Sequence, residues 1–199
     1  MKTTRTAAIG TALAALAIAV SACGPANPGA AAVIGADRIS DQQLTEAVQS
    51  VLRAQGRPVD SESAKLTHKV LQRMVTMSLV DQLATRAGVV ITQGEIDRTY
   101  ADYQAQAGGE KQFDGVLLSQ DIAPADAKDA VRLNLLASKL AETISPGAEG
   151  QLATQQLIET LAKYSTIVGL SISPRYGTWD PGTLTVGPLP SDLSIPTVG

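Results

Sequence analysis

Apolar residues recur at helical spacing through most of this chain, so the sequence predicts a mainly helical fold. The longest helical segment covers residues 61–87 and is apolar on two sides, which indicates a central position in a bundle. It is predicted to end at Gly88, where a left-handed cap is easiest. The apolar positions of the other predicted helices are Leu44, Val48, Val51 and Leu52; Ile96, Tyr100 and Tyr103; Phe113, Val116 and Leu117; Leu133, Leu136, Leu140 and Ile144; and Leu157, Ile158, Leu161 and Tyr164.

Local patterns predict where helices begin and where strands lie. Ser40 and Thr92 each precede a Gln or Glu by three residues, the capping-box pattern that opens a helix. Short runs at residues 31–34 and 168–172 have the composition or alternation of strands. Because these runs stand at opposite ends of a helical chain, we expect them to pair in a small two-stranded sheet.

The first 23 residues follow another pattern. Lys2 and Arg5 precede an apolar run over residues 7–20, and Cys23 follows small residues. The run is too short to span a hydrocarbon core of ~30 Å, but it is typical of an export signal. The sequence therefore predicts a chain that leaves the cytoplasm.

The predicted organisation has four parts. Residues 1–22 are a signal peptide, residues 23–29 are a flexible tether with two prolines, and residues 30–180 are one helical domain. Residues 181–199 carry four prolines and little apolar periodicity, so they are predicted to be a disordered tail.

The segment Val20-Ser21-Ala22-Cys23 looks like the lipobox of bacterial lipoproteins. That resemblance implies diacylglycerol transfer to the Cys23 thiol, cleavage before Cys23 and acylation of the new amine. Two acyl chains give stable anchoring, since each buried methylene contributes about 0.8 kcal/mol. The alternative is a soluble secreted protein whose cysteine merely falls near the cleavage site.

Charge and composition exclude several classes of function. The formal net charge is −3, and loss of Lys2 and Arg5 with the signal makes it two units more negative. Such a chain does not suit nucleic acid, whose phosphates select for basic surfaces. Aromatic residues make up only 3% of the chain, so few side chains are present for stacking. Cys23 is the only cysteine, and no internal disulfide can form.

No motif indicates catalysis or a cofactor. Gly108-Gly109 lacks the pattern of a phosphate-binding loop, so ATP use is not implied. His68 is the only histidine and is expected to be a partly exposed helix residue, with a pH-sensing role as the alternative. Trp179 is expected to cover the edge of the core, with ligand contact as the alternative. We expect no metal, no cofactor and no enzymatic activity.

The order of segments resembles the N-terminal domain of the SurA-like periplasmic chaperones and their lipid-anchored relatives. The matching stretches are residues 33–40, 79–84, 88–97 and 131–136. Together they cover roughly residues 30–145, and residues 174–180 resemble the ending of lipoproteins of this group from high-GC Gram-positive bacteria. The resemblance implies a SurA N-terminal-like helical domain and a role in protein folding.

Full-length relatives usually insert a parvulin prolyl-isomerase domain before the final helix and strand. Here the corresponding gap is only residues 145–150. Parvulin sites commonly use His with Cys or Asp, but this chain has one histidine, and its one cysteine is assigned to the lipid. We therefore expect a lipoprotein without the parvulin domain and without prolyl-isomerase activity.

These observations favour a membrane-anchored, ATP-independent chaperone that binds unfolded or extended exported polypeptides on the extracytoplasmic side of the cell membrane. The candidate client groove is lined by Leu66, Val70, Met74, Met77, Tyr100 and Tyr103. Core filling is the alternative role of the two methionines, whose flexible thioethers suit both tasks. The alternative function is a scaffold or adaptor lipoprotein that binds one envelope partner.

Overall fold

The computed structural model of the protein describes residues 29–189. The predicted export signal, Cys23 and residues 24–28 of the predicted tether lie outside these residues, as do residues 190–199. The helices are α1 (Asp41–Ala54), α2 (Ala64–Ala87), α3 (Gln93–Ala107), α4 (Glu110–Ser119), α5 (Ala127–Ile144) and α6 (Gly150–Ile167). The strands are β1 (Ala30–Ile34), β2 (Asp37–Ser40), β3 (Ser171–Ile172), β4 (Trp179–Asp180) and β5 (Thr185–Val186). The predicted mainly helical fold is confirmed.

Strand β1 is the centre of a three-stranded antiparallel sheet in the order β2-β1-β3. Ala32 lies opposite Ile172 and Val33 lies opposite Ser171, so the predicted pairing of the N-terminal and C-terminal strands is confirmed. The structure adds a third strand, because Gly35 adopts a φ of +60° and turns β2 back onto β1. The strand predicted over residues 168–172 is also shorter than expected, because Val168 caps α6 in a helical conformation and Gly169 turns the chain with a φ of +70°.

The helix boundaries follow from the capping residues. Both predicted capping boxes are present: Ser40 caps α1, and Thr92 caps α3. Helix α2 starts later than predicted, where the Ser63 side chain accepts a hydrogen bond from the Leu66 N–H. It ends at Gly88, whose φ of +68° is the predicted left-handed cap.

Helix α2 lies in the middle of the bundle and packs against α1, α5, α6 and β1. Its buried residues are Leu66, Val70, Leu71, Val75, Leu79, Val80 and Ala84. They occupy both predicted stripes, so the expectation of a central helix is confirmed. With residues of α1, β1, α5 and α6 they form the main core, in which aliphatic packing dominates.

Part of the predicted disordered tail is ordered, so that prediction is corrected. Strands β4 and β5 form a hairpin in which Trp179 lies opposite Val186, and Val186 is buried against the main core. The Asp180 side chain accepts hydrogen bonds from the Gly182 N–H and the Thr183 hydroxyl, which fixes the turn. Asp, Pro and Gly in succession at residues 180–182 are a turn signal. The prediction missed this turn because it took the prolines of the segment as a sign of disorder.

Trp179 covers the edge of the core, as predicted. Its indole N–H donates a hydrogen bond to the Ser165 hydroxyl at 3.1 Å, and Ser165 is only 1% exposed. The loop before β4 is held to the start of α1, where Arg175 pairs with Asp41 and the Tyr176 hydroxyl donates to the same carboxylate. The C-terminal segment is thereby tied to the N-terminal helix.

Candidate functional site

A second, smaller apolar cluster lies apart from the main core, where α3 and α4 pack on α5. Its buried members are Phe113, Leu117 and Ala127. Tyr100 meets the Phe113 ring edge to face with centroids 5.6 Å apart, and Tyr103 lies 6.3 Å from it. These ring contacts hold α3 and α4 together as a helix pair, called the arm below.

An open pocket lies in this cluster, between α3, α4 and α5, and is called the arm pocket below. Its volume is about 340 Å³. Its larger apolar lining residues are Tyr103, Phe113, Val116, Leu117, Ile122 and Val131. Val116 is 45% exposed although its side chain is apolar, so the pocket wall continues onto the surface. An apolar pocket of this size has room for one large side chain.

Three carboxamide side chains, those of Gln106, Gln120 and Asn134, also line the arm pocket. Within residues 29–189 none of the three makes a side-chain hydrogen bond, and all three are exposed. A carboxamide both donates and accepts, so it matches the N–H and C=O of a peptide main chain. The arm pocket therefore combines an apolar cavity for a side chain with free groups that suit a polypeptide backbone.

Ion pairs fix α3 on α5. Lys139 donates to Glu95 at 2.6 Å and to the Val90 carbonyl at 3.2 Å, and Lys128 donates to Asp97 at 2.7 Å. The hydrogen bond from Lys139, followed by those from Thr92, lowers the pKa of Glu95 from 4.5 to about 2. The capping box that starts α3 is thus also the point at which α3 is held to α5.

A Glu95→Gln variant should remove a pH-dependent part of the stability. Because the folded pKa lies below the unfolded one, ionised Glu95 stabilises the fold fully above pH 4.5, and this contribution is lost as the pH falls towards about 2. Glutamine retains the capping oxygen without the charge. In urea denaturation, we expect the stability difference between the native protein and the variant to shrink across this range. Glu142→Gln, at an exposed glutamate of α5, is the control, and a difference independent of pH would contradict the prediction.

Asp121 anchors the other end of the arm, and no sequence pattern pointed to it. It has a φ of +57°, and its carboxylate accepts hydrogen bonds from Gln55 at 3.1 Å and Lys69 at 2.7 Å. Arg73 donates to its main-chain carbonyl at 2.6 Å. The hydrogen bond from Lys69 is the main cause of the lowered pKa of Asp121. These contacts tie the end of α4 to α1 and α2.

The predicted groove residues are divided among three places. Leu66 and Val70 are 4% and 0% exposed in the main core, so the prediction that they line a groove is corrected. Both residues lie on sides of α2 that neighbouring elements cover, because α1, α5, α6 and β1 pack around this helix. Tyr103 lines the arm pocket, and Tyr100 packs against Phe113, whose ring forms part of the pocket wall.

Met74 and Met77 line a separate depression of about 190 Å³. Ile122 and Ala130 line both this depression and the arm pocket, so the two are neighbours. Arg73 and Asp126 also line the depression, and burial lowers the pKa of Arg73 and raises that of Asp126. The methionine depression is therefore smaller and more charged than the arm pocket.

Residues missed by the sequence analysis include the three carboxamides. They come from α3, from the turn after α4 and from α5, and no local spacing connects them. Among residues 29–189, no group of three or more His, Cys, Asp or Glu is arranged to hold a metal ion. In the same part of the chain, no helix combines the length and apolar character needed to cross a bilayer.

The fold and the arm pocket define a small helical domain with a surface suited to binding polypeptide. The model of the SurA-like N-terminal domain matches residues 2–141, and the chain belongs to this family. The match includes α1 to α4 and most of α5, and therefore the whole lining of the arm pocket. Helix α6 and strands β3 to β5 lie beyond the matched residues.

A curated relative is the chaperone SurA of Pseudomonas aeruginosa, which is 29% identical over 101 residues. The alignment covers 50% of this chain and 24% of that chaperone, so the chain spans about a quarter of the relative it matches. No solved structure gives a significant match. Membership of the family supports a chaperone-like role in protein folding.

Proposed function

We propose that this protein is a membrane-anchored, ATP-independent binding protein that holds extended segments of exported polypeptides at the arm pocket. The observation that carries the proposal is the free carboxamide groups beside an apolar cavity, in a domain of the SurA-like family. Unfolded chains expose both large apolar side chains and unpaired main-chain groups. The arm pocket offers partners for each.

The physical chemistry favours weak, reversible binding. Burial of one large apolar side chain contributes about 1.5–3 kcal/mol, which is modest beside the cost of association. A client held by one such contact and a few hydrogen bonds dissociates without an energy source. Because the carboxamides would bind the main chain, selection for a particular client sequence would be low.

Anchoring at the membrane is the second part of the proposal. Its support is the sequence alone: the export signal and the lipobox-like segment ending at Cys23. Acyl chains on Cys23 would hold the domain at the outer side of the cytoplasmic membrane, where exported chains emerge unfolded. The proposal includes no catalytic step and no prolyl isomerisation.

A Val116→Ser variant tests the arm pocket without disturbing the core. Val116 is 45% exposed in the pocket wall, and Val59, outside the pocket, is 42% exposed, so Val59→Ser is a matched control. Loss of about 1 kcal/mol of apolar contact should raise about fivefold the concentration that half-suppresses aggregation of an unfolded client. The control should leave that concentration unchanged, and both variants should keep the native melting temperature.

Two outcomes would contradict the proposal. One is equal suppression by Val116→Ser and the native protein. The other is no suppression by the native protein together with recovery of one stoichiometric partner from membranes, which would favour an adaptor lipoprotein.

A further inference from the structure

The methionine depression beside the arm pocket carries an excess of negative charge. Asp126 and Asp129, at the start of α5, line it together with Arg73 of α2. The Arg73 guanidinium donates to the Asp121 main-chain carbonyl at 2.6 Å and forms an ion pair with neither carboxylate. Within residues 29–189, neither carboxylate accepts a hydrogen bond. Two acidic groups therefore share one nearby cation, and the depression suits a positively charged group.

Helix capping does not account for the position of Asp126. This residue occupies the N-cap of α5, but its side chain makes no capping hydrogen bond, unlike the side chains of Ser40 and Thr92. Its carboxylate lines the depression, where burial raises its pKa although the charge of Arg73 opposes that effect. A partly buried carboxylate without hydrogen bonds is stabilised in its ionised form by a cation that reaches it.

The rest of the lining is apolar and fits the stem of a long basic side chain. Met74 and Met77 are partly buried on α2, and Ala47 and Ala130 lie across from them on α1 and α5. The depression, at about 190 Å³, is smaller than the roughly 300–1,000 Å³ of small-molecule sites, so it has room for one side chain. Lysine and arginine bury their methylene stems against apolar surface and keep the charged head at polar groups, and thioethers adapt to such stems.

One polypeptide segment can occupy both cavities, because Ile122 and Ala130 line the depression and the arm pocket alike. We infer that the methionine depression receives a lysine or arginine side chain of a client whose large apolar side chain fills the arm pocket. This inference rests on the proposed function and names its substrate class, which is apolar segments that carry a basic residue. Residues two positions apart in an extended segment lie on one side, roughly 7 Å apart, and this spacing suits neighbouring cavities. Asp126 and Asp129 are the residues that determine this specificity.

The test measures the binding of two labelled peptides to the native protein by fluorescence anisotropy. In one peptide a phenylalanine stands two positions from a lysine, and in the other the lysine is replaced by norleucine, which keeps the stem without the charge. The lysine peptide should bind about threefold more tightly, an advantage typical of a partly exposed ion pair, and high salt should reduce this advantage. Asp129→Asn should remove most of it. Asp102→Asn, which deletes the same charge at an exposed position of α3 outside both cavities, should preserve it.

Three results would overturn the inference. Equal binding of the two peptides, with both weakened by Val116→Ser, would refute the site for a basic side chain and leave the arm pocket standing. An advantage that Asp129→Asn preserves as fully as Asp102→Asn would come from the overall charge of the chain rather than from the depression. Failure of both peptides to bind the native protein would refute the proposed function as well.

Discussion

Replacing Phe113 by alanine is expected to lower the free energy of unfolding by about 3 kcal/mol. This value is at the lower end of the range for replacing a buried phenylalanine by alanine. Phe113 is 7% exposed and contacts both Tyr100 and Tyr103, so its loss leaves a cavity between α3 and α4. Because the second cluster is small, neighbouring side chains cannot fill that cavity. Urea denaturation measures the loss, and amide exchange should show it first in α4.

The same variant should weaken client binding, since the Phe113 ring is part of the arm pocket wall. Phe113→Leu is the control, because it keeps most of the apolar volume and should cost less stability. A loss below about 1 kcal/mol for Phe113→Ala would mean that the second cluster does not hold the arm together.

Replacing Cys23 by alanine is expected to move the protein from the membrane fraction to the soluble fraction. Without the thiol no diacylglycerol can be attached, and the apolar run over residues 7–20 is too short to span the bilayer. Detergent phase partitioning measures the change: the native protein should enter the detergent phase and the variant the aqueous phase. The mass of the N-terminal peptide should show the acyl chains only in the native protein.

Ser21→Ala keeps a small residue before the cleavage site and serves as the control for Cys23→Ala. It should partition like the native protein. Recovery of the native protein in the aqueous phase, with an unmodified Cys23, would contradict the predicted anchor.

Local signals predicted the helices well, because capping and periodicity act within a few residues. Ser40, Thr92 and Gly88 cap helices as their patterns indicated. The pairing of β1 with β3 was also predicted, since both strands needed a partner. The hairpin of β4 and β5 was missed, because its stability comes from the insertion of Val186 into a core assembled from distant segments.

The candidate site was harder to predict than the fold. Apolar spacing on α2 does not tell which face the bundle covers, and this is why Leu66 and Val70 were assigned to a groove although they are buried. The arm pocket depends on how α3, α4 and α5 meet. Among its lining residues only Tyr103 was assigned to the client groove from the sequence, whereas Phe113, Val116 and Leu117 were named only as apolar positions of a helix.

Photo-crosslinking from the arm pocket tests the central claim most directly. A photoreactive phenylalanine analogue placed at residue 116 lies in the pocket wall, and one placed at residue 90 stands at an exposed valine outside it. Irradiation with an unfolded exported polypeptide should yield crosslinks from residue 116, and excess apolar peptide should compete them away, while residue 90 yields few. Equal crosslinking from both positions, or none from residue 116, would contradict client binding at the arm pocket.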